Sequence, residues 1–281
     1  MNKATLADRF SRWFVLLILF VGAITFMVPY YITVAMSLKS QSELATTSMW
    51  AWPHDITFEN YRIVLSNPLV SFALLLKNTA IITFASTFGT LFGCTVVAYA
   101  FARLNFAGKD RLFMVLLATM MLPGILTMIP SYVMYAKIHW VNTMYPLIVP
   151  AFFGGGAFNI FLLRQFYRGL PRELDEAALI DGASHWTIFR KVILPLSGPA
   201  VATVGIFSFM GSWRDFTGPL IYLNDVDKQT LELGLRTYQS LNGTKWHLIM
   251  ASTVLVSIPL IILFFIGQRY FVKGIVMTGL K

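Results

Sequence analysis

The chain has 281 residues, of which 57% are apolar and only 12% charged, and its mean hydropathy is +0.67. A soluble domain is about half apolar and roughly a quarter charged, so this composition excludes one and implies an all-α integral membrane protein. The net charge of +9 would point to nucleic acid in a soluble protein; here the placement of the cations matters more than their sum.

A helix needs about 20 mostly apolar residues to cross the bilayer core, and six stretches qualify: 13–36, 78–102, 112–136, 144–163, 192–213 and 248–268. They imply one transmembrane domain over 1–281. Lys3, Arg9 and Arg12 precede the first stretch as they would a secretory signal. Its apolar run is too long for a signal core and no small-residue cleavage site follows, so it reads as a retained span. In the second, Cys94 lies between Gly93 and Thr95; with no partner for a disulfide, it reads as a small buried side chain. The third and fourth contain Pro123, Pro130, Pro146, Pro150 and the triplet Gly154, Gly155, Gly156. Helix breakers at membrane depth are tolerated where protein or a water-filled path satisfies the backbone. Ordinary enrichment of membrane helices in Gly and Pro explains them equally well. The first, third and fourth spans carry charge only near their ends, which counts against proton-relay transporters. The four histidines, His54, His139, His185 and His247, have no metal-ligand spacing.

Orientation follows from Lys and Arg. With the N-terminus inside, the inner face carries fourteen of them and the outer face eight, although the outer loops are longer. Both termini are then cytoplasmic, and so is the stretch 171–195.

That stretch, "PRELDEAALIDGASHWTIFRKVILP", is too long and too patterned for a plain connection. Pro171 suits a first helical position. Glu173, Asp175 and Glu176 would lie at the positive end of the helix dipole, with Leu174, Ala177, Ala178 and Ile180 as an apolar flank. Gly182 fits a left-handed stop, and Ser184 can cap a second short helix. Helix, glycine turn, helix makes a compact cytoplasmic knob. Helices that lie on lipid prefer basic polar faces over bulky apolar ones; this one is acidic and carries alanines, so docking in a protein cleft fits better.

Glu176, Ala177, Ala178, then three residues, Gly182, nine residues, Val192, one residue, and Leu194-Pro195 resemble the EAA motif of ABC importer permeases. The family usually has Ile at the position of Val192. "SLKSQSEL", "AYAFARLNFAGKD", "LPGILTMIPSYVMYAKI", "FNIFLLRQFYRGLPREL", "SWRDFTGPLIYL" and "QRYFVKG" are similar to the carbohydrate-uptake branch, specifically the second, six-span permease subunit of maltose-type importers. The resemblance implies a type I importer permease fold with a cytoplasmic coupling helix, in a bacterial or archaeal inner membrane. Glu176, Ala177, Ala178, Gly182, Val192, Leu194 and Pro195 would then form the ATPase-coupling surface. The implied partners are a homologous second permease, two ATPase subunits, an extracytoplasmic solute-binding protein and membrane lipid, with no nucleic acid. ATP and Mg²⁺ would be held by the ATPase subunits; this chain would hold no cofactor and no metal. Gly108-Lys109 makes no phosphate-binding loop, because Arg103 stands where its first glycine belongs and Asp110 follows the lysine.

At the outer end of span five, Trp213, Arg214 and Asp215 are candidates for the solute pathway; many relatives carry Asn where this chain has Arg214. Arg214 reads either as an anchor paired with Asp215 or a neighbouring helix, or as a fork for an acidic sugar. Span five starts just after the knob, so motion of the knob could reach this point along one helix. In the outer segment 236–246, Tyr238, Asn242, Gly243 and Lys245 are candidates for contact with the binding protein, and Asn242-Gly243 is a tight-turn signal. The chain itself reads as a non-catalytic subunit for sugars, oligosaccharides in particular. The alternatives are a non-sugar or acidic solute, or an intramembrane enzyme. The enzyme would need a catalytic constellation, and Asp215 with no histidine beside it in sequence does not supply one.

Overall fold

The computed structural model describes residues 6–67, 71–240 and 243–278, which are helical apart from connecting loops and one two-stranded hairpin. The elements are α1 (Leu6–Ser37), α2 (Gln41–Thr46), α3 (Glu59–Leu65), α4 (Phe72–Arg103), α5 (Lys109–Thr119), α6 (Gly124–Lys137), α7 (Tyr145–Phe152), α8 (Ala157–Gly169), α9 (Glu173–Ile180) and α10 (His185–Ile188). They continue with α11 (Leu194–Leu196), α12 (Gly198–Trp213), α13 (Thr217–Tyr222), α14 (Leu231–Gly234), the strands β1 (Gln239–Ser240) and β2 (Gly243–Thr244), and α15 (Trp246–Thr278).

Among the described residues four helical stretches are long and apolar enough to cross a membrane: Arg12–Ser37, Phe72–Arg103, Tyr145–Gly169 and Trp246–Gln268. The expected third and fifth spans are not single straight helices. α5 and α6 meet at 97°, and His185–Leu196 meets α12 at 80°; counting each bent pair as one span gives six. Proline accounts for both breaks. Pro123 disfavours a helical conformation at the residue before it and sits in an extended conformation itself (ψ 130°). At the second break Pro199 stands in the first turn of α12, just past Ser197. Pro195 ahead of it has no N–H to donate, and the chain before Pro195 widens into a π-helical turn, Phe189–Ile193, in which Leu194 N–H bonds to Phe189 O.

The chain divides into two compact units, Met1–Leu69 with Leu235–Ile258, and Val70–Gly234 with Pro259–Lys281. Composition gives no sign of this division. In the first unit, the apolar side chains of α1 from Trp13 to Phe20 are exposed, as suits contact with lipid or another chain. Lys39 of the "SLKS" stretch is fully buried; its Nζ donates to Thr47 Oγ1 at 3.1 Å and Ser48 O at 2.8 Å. Asn60 Nδ2 donates to the carbonyls of Ser37 and Lys39, both at 2.8 Å. These residues hold a loop together, and their polar groups are paired as buried ones must be.

The second unit is organised on α4, against which α7, α8 and α12 pack. Its buried core joins Cys94, Ala98 and Tyr99 of α4 to Leu163 and Tyr167 of α8, to Ile188, Phe189 and Ile193 beside the knob, and to Val204 of α12. Cys94 is fully buried, as expected of a small packing residue. Span four breaks between α7 and α8 at Gly154, Gly155 and Gly156, all at positive φ. The break lies directly on α4. A Cβ on Gly155 would come within 2.6 Å of Thr90 O, and one on Gly93 would meet Gly154 N and Phe152 O at 2.8 Å. Small residues allow this backbone-to-backbone approach, as at tight helix interfaces in membranes. Gly22 of α1, in contrast, has nothing within 4 Å of such an atom.

Gly93→Val should therefore force α4 away from the break. We expect a loss of about 1–3 kcal/mol, read as a lower thermal midpoint of the detergent-solubilised protein. Gly22→Ala should stay within about 0.5 kcal/mol of wild type. An unchanged midpoint for Gly93→Val would contradict the close approach.

Candidate functional site

The knob is built by local rules. α9 starts at Glu173 with Arg172 as its N-cap, so Pro171 lies just outside the helix and does not take the first helical position. Glu173, Asp175 and Glu176 occupy the first turn, where carboxylates meet the exposed N–H groups. The helix closes in a two-bond glycine motif: Ala183 N–H bonds to Ala178 O at 2.9 Å and Gly182 N–H to Leu179 O at 3.0 Å. Gly182 has φ +79°. Ser184 then caps α10, its Oγ accepting from Thr187 N–H at 3.3 Å.

The knob has two faces. Ala178, Ala183, Val192 and Leu194 pack against the buried core, whereas Glu176, Ala177, Gly182 and Pro195 are exposed. Leu179, Ile180 and Trp186 extend the exposed side, Ile180 being 87% exposed. An exposed apolar cluster beside carboxylates has the make-up of a docking surface.

Sequence reasoning missed what holds the knob. Arg103, the last residue of α4, places Nη1 2.8 Å from Asp175 Oδ2 and donates from Nη2 to Leu170 O at 2.9 Å. Arg164 of α8 donates from Nε to Phe101 O at 3.3 Å and lies 3.8 Å over the Phe113 ring, a cation–π contact between α8 and α5. The charge count alone does not show that either arginine does structural work; in Arg164 the planar guanidinium both stacks on a ring and donates from Nε.

At the far end of α4 the loop after α13 is pinned in place. Asn78 Nδ2 donates to Asp227 O (2.8 Å) and Gln229 O (2.9 Å), and Thr79 Oγ1 accepts from Leu231 N–H at 2.9 Å. Asn142, at φ +63°, accepts on Oδ1 from the N–H groups of Asn224 and Asp225 and donates from Nδ2 to Asp225 Oδ2 at 2.7 Å. Lys228 Nζ bridges Asn142 O and Asp225 Oδ2, each at 2.9 Å. Hydrogen bonds from Lys228 and Asn142 hold the Asp225 carboxyl below its ordinary range. The charged form of this clamp is thus kept until pH falls through that lowered value.

The pathway candidates separate. Trp213 is buried and stacked on Phe209, centroids 5.4 Å apart. Asp215 turns to α13, its Oδ1 accepting from Gly218 N–H at 3.0 Å. Arg214 is exposed, and no ion pair to Asp215 forms. Burial raises the Glu232 carboxyl, and the nearby positive charge of Arg214 pulls it back down.

In the other compact unit, β1 and β2 pair as Gln239↔Thr244 and Ser240↔Gly243. Gly243 therefore lies in a strand, and Asn242, expected in the turn, falls outside the described residues. Tyr238 is half-buried, its hydroxyl accepting from Asn67 Nδ2 at 3.3 Å, and Lys245 is exposed.

A multi-pass helical membrane chain with an amphipathic knob between two spans is the form of a transporter's membrane subunit. The model of the family described as "Binding-protein-dependent transport system inner membrane component" matches residues 85–277, and the chain belongs to that family. It is a permease subunit of a system that works with a binding protein; ATP hydrolysis lies on a separate chain. The trehalose/maltose transport system permease protein MalG of Thermococcus litoralis is 33% identical, covering 80% of this chain and 81% of that protein. The arabinooligosaccharides transport system permease protein AraQ of Halalkalibacterium halodurans is 37% identical over 66% of each. The fold is that of a chain in the crystal structure of a bacterial ABC transporter involved in import of the acidic polysaccharide alginate. That likeness has a TM-score of 0.83 at 24% identity, covering 96% of this chain and all of the other.

Gly182 isolates conformation from packing, because a Cβ there would meet nothing within 4 Å. Gly182→Val should cost about 1–2 kcal/mol through the left-handed backbone alone, uncoupling or disassembling the transporter while the spans still insert. Gly182→Asn, which tolerates that conformation, should retain most uptake. Normal transport by Gly182→Val would show that the turn is dispensable.

Proposed function

We propose that the chain is a permease subunit of an ATP-driven importer for sugars, oligosaccharides in particular. It would form the pathway with a homologous second permease, be driven by two ATPase subunits and receive solute from an extracytoplasmic binding protein. ATP and Mg²⁺ would belong to the ATPase subunits. The observation that carries this reading is the exposed outer face of the knob, Glu176, Ala177, Leu179, Ile180 and Trp186, held on a fixed inner face. The named relatives, one for trehalose and maltose and one for arabinooligosaccharides, support the sugar class. The charge count supports cytoplasmic termini and a cytoplasmic knob. Glu176 would meet a basic group in the ATPase cleft, with the exposed Ala177, Gly182 and Pro195 on the contact and Ala178, Val192 and Leu194 supporting it from the side packed on the core.

The test is reconstitution with the ATPase and binding-protein partners. Solute-loaded binding protein should stimulate ATP hydrolysis and uptake, which neither a secondary transporter nor an intramembrane enzyme would show. Deleting 240–244 should leave assembly intact and weaken the stimulation, if this segment and the flanking Tyr238 and Lys245 contact the binding protein. Unchanged kinetics would make it a passive connector.

Of the three pathway candidates, Trp213 and Asp215 are engaged in packing and capping, and we propose Arg214, exposed and with Glu232 of α14 nearby, for the solute. A guanidinium binds a carboxylate through two parallel hydrogen bonds, which Asn cannot do. Competition uptake with neutral and uronic-acid oligosaccharides of equal length should show selective loss of the acidic one in Arg214→Asn. Equal effects on both would make Arg214 a structural anchor.

A further inference from the structure

Three ion pairs occur among the described residues. Arg62–Glu59 and Lys228–Asp225 join exposed neighbours three residues apart, whereas the Arg103 and Asp175 side chains are only 4% and 18% exposed. The buried pair joins elements far apart in sequence. Arg103 ends α4, Leu170 is the C-cap of α8, and Asp175 lies in the first turn of α9. A single guanidinium therefore touches the ends of two spans and the start of the knob. Both charges suit their helix ends, a cation at a C-terminus and an anion at an N-terminus.

The contact is a single prong. Arg103 Nε and Asp175 Oδ1 are buried without partners, although a guanidinium and a carboxylate can engage through two. A buried ion pair is in any case a poor way to gain stability, since apolar side chains of similar volume serve as well or better. One N–H···O bridge allows the helices to pivot about it while staying joined. Beside this tether, Phe189 packs on Tyr99 of α4, centroids 5.1 Å apart.

We propose that Arg103 is a positioning residue that carries motion of the knob into span two through Asp175. The proposal rests on the reading of the knob as the ATPase-docking element. The sequence points to span five as the mechanical continuation of the knob, but the 80° bend separates its straight part from the knob. Span two is a continuous 32-residue helix with no proline inside it, and its far end holds the loop 227–231 through Asn78 and Thr79. A displacement of α9 is thus delivered to an unbroken helix whose other end holds that loop.

The test uses the complete importer in proteoliposomes, with Arg103→Gln, Asp175→Asn, the double variant and Arg103→Lys. Each single neutral variant strands a buried charge and should lower uptake and binding-protein-stimulated ATP hydrolysis about tenfold or more. The double variant strands none. It should recover assembly and thermal midpoint while stimulation stays low, a separation that a purely structural pair would not produce. Arg103→Lys keeps the charge and should restore most stimulation. Wild-type stimulation in the double variant or in either single variant would overturn the inference, as would Lys behaving like Gln. If the single variants fail to assemble, the double variant decides. A wild-type complex that binding protein does not stimulate would overturn the importer reading itself, and this inference with it.

Discussion

Hydrocarbon offers a broken helix no water, so every interruption at membrane depth must be covered by protein. The second compact unit depends on that constraint at the interface between α4 and the glycine break of span four. Gly93 and Gly155 let backbone meet backbone there, closer than any side chain would allow. Without that approach α7 and α8 would expose unpaired peptide groups to lipid. α4 thereby becomes the element on which α7, α8 and α12 are all arranged, and through the core around Tyr99, Tyr167 and Phe189 it also receives the knob.

The knob shows how local and long-range forces divide the work. Its shape comes from three adjacent rules: acids in a first turn, a glycine at φ +79°, and a serine cap. None of these fixes the knob to the membrane part of the chain. That is done by apolar burial of Ile188, Phe189 and Ile193 on one side and by the guanidinium of Arg103 on the other. The exposed face is left with Ile180 and Trp186 uncovered, a cost in water that a permanent partner would remove.

Most of the helical content and the knob were legible in the sequence, because both rest on short-range signals. Hydropathy located the apolar stretches, and the glycine and serine of the knob announced their own conformations. The breaks were legible only in part. Pro123, Pro195 and Pro199 were visible, but a proline mid-run can kink a helix slightly or end it, and the surrounding packing decides which. Arg103–Asp175 and the Asn142 clamp were not legible, since each joins residues some 70 or more positions apart and composition carries no pairing information. Asn142 left one weak clue, as asparagine is among the few residues that tolerate a left-handed backbone. Trp213 and Asp215 are pathway candidates by their place at the outer end of span five; local contacts, with Phe209 one turn back and with Gly218 three residues on, engage both side chains here.

The bend after the knob has a geometric consequence. His185–Leu196 and α12 form two arms, about 18 Å and 24 Å long at the helical rise per residue, set at 80° to each other. Ser197 at the elbow is buried and hydrogen-bonded back to Leu194 O at 2.9 Å, so the corner is stiff. Two stiff arms at nearly a right angle share no common axis. A push along the short arm therefore meets α12 side-on rather than end-on, and the tip of the long arm at Arg214 does not lie on its line.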